Sequence, residues 1–400
     1  MKFRLSLIAG ACVSFAGAAL AQSSDRPWYI GLGQDFTHQS NVLSSAAGEI
    51  SDTISTTTLR GGVNVPFGRQ RAYANVSLNH QRYQDLSARN NNGYSVGAGL
   101  DWSTIERLSG SLTLNANRQQ ADFFVGGITP VTLSNIERSD EIAARFRLGV
   151  VTKLGFEAGF GQRTLSFTAP EFAAREYKQN DASLGISYRP SGILSLGTGL
   201  SGQRTRFATP APGQTAADRS QRQDVYVTAA WVPTGASTVS ARVNIGKTDY
   251  DLGTAADFEG VTGSLSWAWR PTGRLNLTTS LSRDSGQQAG FLRIAGDTAV
   301  SGTDFSQVTS TASVRAGYEL TGKITVNGSL GYTRRNLVDG FTGVTGRDST
   351  ASLSLGANWA ATRTISLGCI VSRDSRSASG AGSTPSDSDR FGCSGQVLLD

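Results

Sequence analysis

Residues 264–283 read SLSWAWRPTGRLNLTTSLSR, and the spacing of their apolar side chains decides the fold. Leu265, Trp267 and Trp269 alternate with small polar residues, as in an extended strand with one apolar and one polar face. After the turn signal Pro271-Thr272-Gly273 the same alternation resumes with three leucines. The stretch predicts a β-hairpin, and the uniformly small, polar character of its second face has to be explained.

Alternation of this kind recurs along the whole chain, whereas helical periodicity is almost absent. Each alternating segment approaches the ~9–11 residues that a tilted strand needs to cross a membrane. No linker or break in composition divides the chain, so we expect one all-β architecture. The eighteen segments are 27–36, 53–65, 70–82, 92–103, 110–120, 139–151, 155–167, 177–189, 192–204, 221–232, 237–249, 259–270, 274–284, 307–319, 323–335, 348–360, 363–374 and 389–399.

The connections between these segments alternate in length. Short ones, such as Pro66-Phe67-Gly68 and Pro233-Thr234-Gly235, carry turn residues. Outer-membrane barrels have this pattern, with tight periplasmic turns and longer external loops, whereas a soluble sandwich has no reason for it. The longer connections are 37–52, 121–138, 205–220, 285–306 and 375–388.

Large aromatic residues gather where segments run into the short connections, on the apolar face of each segment. A soluble core would scatter such rings along the strands, whereas a membrane interface collects them in a girdle. The sequence therefore predicts a transmembrane antiparallel up-and-down β-barrel of about eighteen strands, an even number that puts both termini in the periplasm. The predicted periplasmic girdle comprises Trp28, Trp102, Tyr188, Trp231, Trp267, Trp269, Tyr318 and Trp359.

The first residues have the composition of an export signal. Lys2 and Arg4 precede an apolar run that closes on Ala19-Leu20-Ala21, the small-x-small pattern of a cleavage site. The run is short for a single-span anchor. We therefore expect a cleaved signal peptide over 1–21 and a barrel over 22–400 in the outer membrane of a Gram-negative bacterium.

Strand parity assigns charged side chains to the water-filled interior. In segment 139–151, Ile142 and Phe146 take the lipid side and Arg145 and Arg147 the lumen, because an arginine facing lipid at the bilayer midplane costs roughly 2–4 kcal/mol. The chain has 32 Arg and 5 Lys, so the lumen either attracts acidic solutes or merely holds facing charges that pair with one another. The remaining lumen candidates are Arg60, Arg71, Arg163, Arg222, Arg242, Arg274, Arg315, Arg335, Asp101, Glu141, Glu157, Asp224 and Glu319.

The sequence gives little support for catalysis. His38, placed in the first long loop, and His80 are the only histidines, and no Ser, His and acid set is grouped by its spacing. No phosphate loop or metal-ligand spacing is present, so we expect neither an enzyme nor a cofactor, and no nucleic-acid partner. The run Ser386–Asp389 could bind calcium weakly, but a solvated external loop explains it as well.

Two cysteines follow the export signal. Cys369 and Cys393 lie on the apolar face of the last two segments, with a loop between them. In an oxidising envelope we expect a disulfide across this hairpin, the alternative being two buried thiols.

The chain resembles the EpsL-type outer-membrane proteins of exosortase-associated exopolysaccharide operons, within the wider beta-barrel porin 2 group. The resemblance rests on YIGLGQDFTHQSNVL (29–43), SDTISTTTLRGGVNVPFGRQR (51–71) and CSGQVLLD (393–400). It implies export of a polysaccharide chain, acidic in view of the arginines, with a periplasmic polysaccharide export protein and an inner-membrane machinery as partners. The barrel-assembly machinery and outer-membrane lipid are further expected partners, although the chain ends in Val397-Leu398-Leu399-Asp400 rather than in the usual aromatic signal.

The alternative function is a general or anion-preferring diffusion porin for small solutes. A polymer exporter should have an open lumen lined by small polar residues, whereas a porin usually has one loop folded inside as a constriction. The candidates for such a loop are 121–138 and 285–306.

Overall fold

The computed structural model describes residues 26–46, 48–104, 107–121, 135–149, 153–210, 216–252, 257–293, 300–339, 343–380 and 383–399, without the side chains of 171, 174, 287–293, 300–306 and 339. The predicted signal peptide and most of the 121–138 connection lie outside these ranges. Among the described residues, no helix is long and apolar enough to cross a membrane.

Eighteen antiparallel strands form one sheet, as the sequence predicts. Each strand pairs with its neighbours in the chain, and β1 also pairs with β18, from Ile30 opposite Leu399 to Gln39 opposite Arg390. The sheet therefore closes into an up-and-down barrel without free edges. The strands are β1 Trp28–Gln39, β2 Asp52–Phe67, β3 Gln70–Tyr83, β4 Asn91–Ser103, β5 Leu108–Gln120, β6 Ile136–Leu148, β7 Leu154–Phe167, β8 Tyr177–Ser191, β9 Leu194–Phe207, β10 Arg219–Thr234, β11 Ser237–Tyr250, β12 Phe258–Trp269, β13 Leu275–Arg293, β14 Val300–Glu319, β15 Ile324–Asp339, β16 Thr345–Ala360, β17 Ile365–Gly380 and β18 Ser386–Leu399.

The apolar side chains of the strands point away from the barrel axis. Leu184, Leu200 and Val225 lie side by side on β8, β9 and β10 and are 66%, 62% and 53% exposed to the exterior. Such a continuous apolar wall is stable only against lipid, and closure satisfies the backbone hydrogen bonds that hydrocarbon cannot. The chain is an outer-membrane β-barrel.

The two ends of the barrel differ, and we name them by their connections. At the short-turn end strands are joined by a few residues; Gly68, for example, has a positive φ of 61° in the turn between β2 and β3. The predicted girdle residues all lie on strands near this end, and Trp267 and Trp269 stack with ring centroids 5.4 Å apart. At the long-loop end the described residues include two 3-10 helices, Ser87–Arg89 and Pro170–Arg175.

Several connections predicted as long loops are strand instead. Residues 285–293 and 300–306 continue the β13–β14 hairpin, paired from Ser285 opposite Val308 to Arg293 opposite Val300. Likewise His38 lies on β1 rather than in a loop. Beyond the membrane both faces of a strand meet water, so strand there has no apolar alternation to reveal it.

Cys369 and Cys393 face each other directly across β17 and β18 on the exterior side. The structure joins them by a disulfide with an S–S distance of 2.13 Å.

Candidate functional site

The barrel interior is the candidate functional site, and parity places most of the predicted residues there. Fourteen of the fifteen lumen candidates lie on strands, on the face opposite the exposed apolar side chains. Arg274 differs because it belongs to the exposed turn ahead of β13, where its backbone oxygen accepts a hydrogen bond from the amide of Glu319. Its side chain therefore does not belong to the strand wall.

The same parity places further charged residues inside that the sequence analysis did not single out. Their immediate neighbours are mostly polar, so their inward position follows only when parity is counted along the strand from its apolar segment. They add both signs of charge, so the lumen is less one-sided than the arginines alone indicate. These residues are Asp35, Asp181, Asp284, Asp348, Asp374, Arg376 and Arg390.

Some lumen arginines are neutralised by carboxylates of the wall. Arg335 donates to both oxygens of Asp348, Nε to Oδ1 at 2.8 Å and Nη2 to Oδ2 at 2.7 Å, and the Asp348 side chain is 1% exposed. Arg147 donates from Nε to Glu157 at 3.0 Å across β6 and β7. These pairs agree with the second of the two expectations for the lumen, in which its charges pair with each other.

Arg222 ties four side chains of the wall together. Its Nε donates to Asp224 at 2.9 Å, Nη1 to Asp284 at 3.0 Å and to Ser285 at 3.1 Å, and Nη2 to Thr262 at 2.8 Å. Its side chain is only 13% exposed. Arg222 therefore links β10, β12 and β13, and each of its three nitrogens already donates to the wall.

Arg145 and Arg242 differ from these paired arginines. Arg242 donates from Nε to the side-chain oxygen of Asn244 at 2.7 Å, and within the described part of the chain this is its one side-chain hydrogen bond. Arg145 makes no side-chain hydrogen bond or ion pair to any described residue. The two arginines lie within electrostatic range of each other although β6 and β11 are five strands apart. The charge of Arg145 also attracts the carboxylate of Asp181 on β8. We call Arg145, Arg222 and Arg242 the lumen arginine cluster.

Tyr226 forms the platform of this cluster. The guanidinium carbon of Arg242 lies 3.9 Å from the centroid of the Tyr226 ring, a cation–π contact. The phenol rests on the neighbouring strands, where its hydroxyl donates to the Leu184 oxygen at 3.4 Å. Gly185 and Gly199 leave the room for the ring, since a Cβ on either would collide with the Tyr226 hydroxyl.

The mouth segment, residues 168–176, narrows the long-loop end. Phe172, in the 3-10 helix, is 1% exposed and packs on Phe167 with ring centroids 5.5 Å apart. Phe167 shares the inward face of β7, and the guanidinium of Arg175 covers both rings at 5.6 and 5.5 Å. The helix also approaches β13, a third of the way around the wall. The segment therefore folds over the opening. Of the two connections named as candidates for such a loop, 285–306 is largely strand, and 122–134 lies outside the described residues.

The wall from β12 to β17 has a different lining. Many of its inward residues are serines and threonines, as in the Ser329–Ser354 contact at 2.7 Å and the Thr311–Thr333 contact at 3.4 Å, although Arg315, Arg335 and Asp348 also lie there. These six of the eighteen strands offer a hydrated surface rich in hydroxyl groups.

No family model matches the sequence, and no curated protein matches it. Several solved barrels are similar in structure. OccK1 (OpdK) of Pseudomonas aeruginosa has 11% identity over 93% of this chain and 99% of its own, with a TM-score of 0.47. OccK2 (OpdF) of the same organism, in complex with glucuronate, has 13% identity over 94% and 99%, with a TM-score of 0.48.

The siderophore receptor PirA from Acinetobacter baumannii has 7% identity over 93% of this chain and 80% of its own, with a TM-score of 0.44. At such identities and TM-scores, what passes through this barrel has to be argued from its own residues.

Proposed function

We propose that this chain is an anion-preferring diffusion channel for small acidic solutes, without catalytic activity. The proposed orientation puts the short-turn end and both termini in the periplasm and the long-loop end outside. Barrels of 16–18 strands enclose an aqueous channel, so a path for solutes follows from the strand number. Insertion by the barrel-assembly machinery is part of the proposal.

The observation that carries this function is the contrast among the lumen arginines. Arg222, Arg147 and Arg335 form ion pairs with carboxylates, whereas Arg145 and Arg242 form none with any described residue. A guanidinium whose terminal nitrogens lack protein acceptors can donate two parallel hydrogen bonds to a carboxylate or phosphate. The Tyr226 ring holds the side chain of Arg242 in place, so Arg242 loses less conformational entropy when it binds a solute.

The mouth segment supports passage of small molecules rather than of a wide chain. Its buried Phe172 and the covering Arg175 form a compact unit over the opening. A constriction selects solutes by size, and the arginines below it then select them by charge.

A second candidate is export of an acidic polysaccharide, the function that the EpsL-type resemblance implies. The many hydroxyl groups on the wall from β12 to β17 favour it, because sugars pass easily along a hydrated polar surface. A periplasmic polysaccharide export protein and the polymer itself would then be the partners. The two candidates share the fold and the anion preference and differ in the size of the cargo.

Planar-bilayer recording tests the proposal. The purified barrel should give a reversal potential that favours chloride over potassium under a salt gradient, and gluconate should still permeate. A cation preference or no selectivity would count against the lumen arginine cluster as a selective element. In cells, deletion of the gene should slow growth on small organic acids; polysaccharide retained in the periplasm with normal growth on acids would favour export.

A further inference from the structure

The exterior of β8, β9 and β10 carries four cations near the long-loop end. Lys178, Arg206 and Arg219 lie directly opposite one another in register, and Arg204 lies one step below, between Asn180 and Gln221. All four cations are exposed and share the outward face with Leu200. We call Lys178, Arg204, Arg206 and Arg219 the outer-wall patch.

Within the part of the chain that the structure describes, the patch is not neutralised by its surroundings. None of its four side chains makes an ion pair or side-chain hydrogen bond to a described residue. Nearby carboxylates have other partners: Glu176 accepts from the amide of Phe167 at 2.8 Å, and Asp218 from the amides of Arg219 and Leu252 at 2.7 and 3.1 Å. Asp251 is also near: its backbone amide donates to the carbonyl oxygen of Arg219, and the residue is exposed.

Other exterior cations show what a neutralised arrangement looks like here. Arg138 pairs with Asp140 at 2.8 Å and Lys247 with Asp249 at 3.1 Å, each two residues along the same strand. Like charges directly opposite each other on adjacent strands destabilise a sheet. Three cations in one row therefore call for an anion supplied from outside the chain.

A groove in the barrel wall leads up to this patch. Its upper part has a volume of about 660 Å³ and is lined by small residues and by polar ones. Its lower part, about 600 Å³, is almost wholly apolar. The upper lining includes Ala144, Ala182, Gly202, Gln162, Asn180 and Arg204. The lower lining includes Phe146, Phe156, Leu184, Ile186, Leu200 and Val225.

Charge and apolar surface are thus arranged along one line. Arg204 is four residues from Leu200, roughly 13 Å of strand, and Arg206 is a further step beyond. Long cationic side chains at this height reach the phosphate level of a bilayer while their stems cover apolar surface. Towards the long-loop end the exterior presents first the apolar groove, then a rim of amide side chains and then the row of cations. This order matches the acyl chains, sugar and phosphate of a glycolipid.

We propose that the groove and the outer-wall patch bind a phosphorylated glycolipid of the outer leaflet. Its acyl chains lie in the lower groove, and its phosphate groups accept hydrogen bonds from Arg204 and Arg206, with Lys178 and Arg219 completing the charge balance. Arginine is suited to this role because its fork binds phosphate oxygens in pairs. The site rests on the proposed orientation, in which the long-loop end faces outside, but it does not depend on the lumen selectivity.

The test is lipid binding to the full-length barrel in uncharged detergent, measured by native mass spectrometry and by thermal unfolding. The probes are bisphosphorylated lipid A, the same lipid after enzymatic removal of both phosphates, and inorganic phosphate. The bisphosphorylated lipid should bind and raise the unfolding temperature, and the dephosphorylated lipid should do so far more weakly. In the variant Lys178→Gln/Arg204→Gln/Arg206→Gln its affinity should fall about tenfold or more, because each basic residue near a charged lipid contributes a several-fold factor.

The control variant is Arg138→Gln/Asp140→Asn, which removes a neutralised exterior pair and should bind lipid A as the unmodified barrel does. Equal binding of both lipids, or full binding by the triple variant, would overturn the proposal. An equal thermal shift with inorganic phosphate would show that free phosphate, and not a lipid, is the anion that the patch binds. Should the triple variant fail to fold, Arg206→Gln alone and a salt titration of the unmodified barrel decide: affinity that does not fall with salt contradicts the site. Bilayer selectivity is recorded separately, so failure of this site and failure of the anion channel are distinguishable.

Discussion

Arg242 on β11 lies over the ring of Tyr226 on β10, with its guanidinium carbon 3.9 Å from the ring centroid. The pair faces the lumen, and Arg242 lies within electrostatic range of Arg145 on β6. The arrangement holds one arginine against an aromatic ring, and the second, Arg145, makes no side-chain hydrogen bond or ion pair to a described residue. The first two predictions follow from it.

Replacement of both arginines, Arg145→Glu/Arg242→Glu, should abolish or reverse the anion preference of the channel. The change removes two positive charges from the pathway and adds two negative ones, and the field inside a low-dielectric wall depends strongly on such charges. Reversal potentials under a salt gradient measure the effect. Arg138→Glu, on the exterior face of β6, is the control and should leave the potential unchanged; an unaltered potential in the double variant would contradict the role given to the cluster.

Gly185→Ala should weaken the anion preference without touching a charge. The added Cβ collides with the Tyr226 hydroxyl and meets the Thr198 oxygen at 3.1 Å, so the ring and the arginine above it have to move. Gly97→Ala is the matched change, because the nearest atom to its Cβ is a side-chain oxygen of Asn115 at 3.5 Å, an ordinary contact. Similar selectivity in both variants would show that the position of Tyr226 does not matter.

Asp348→Ala should lower the free energy of unfolding by about 3 kcal/mol, because it leaves the largely buried Arg335 without its carboxylate. Glu157→Ala, which breaks the Arg147 pair, should cost less than about 1 kcal/mol, since both side chains are more than 40% exposed. Urea unfolding of the barrel in lipid vesicles compares the two. Equal losses would mean that burial does not separate these pairs.

Cys369→Ser/Cys393→Ser should destabilise the barrel by roughly 3–4 kcal/mol, from the entropy of closing a loop with a separation of 24 residues. Reduction of the unmodified barrel should give the same loss. Unfolding with and without reductant measures it. A loss in the variant without one on reduction would point to lost packing of the side chains and not to the cross-link.

Replacement of Pro170–Arg175 by a Gly-Ser linker should raise the single-channel conductance, because it removes Phe172 and Arg175 from the opening. Replacement of the exposed turn 271–273 at the opposite end serves as the control and should leave conductance as it is. Unchanged conductance in the first variant would place the narrowest point of the channel elsewhere.

The contrast between β12 and β13 shows how far sequence reasoning reaches. The apolar face of β12, with Trp267 and Trp269, defines strand, parity and end from local spacing alone. The outer half of β13 does not, since residues 285–293 lie beyond the apolar belt and read as a polar loop. The pattern therefore marks the membrane-facing part of a strand and not its full length.

The sequence by itself determined the number and order of the strands, the face that each turns to lipid and the end at which aromatic rings collect, because lipid imposes a two-residue period on every crossing. Only the tertiary structure decided which arginines are matched. Whether a guanidinium meets a carboxylate, as Arg222 on β10 meets Asp284 on β13, depends on how the curved wall brings together side chains of strands that are not direct neighbours. The fold of the mouth segment across to β13 was decided in the same way, by contacts between residues that no local period relates.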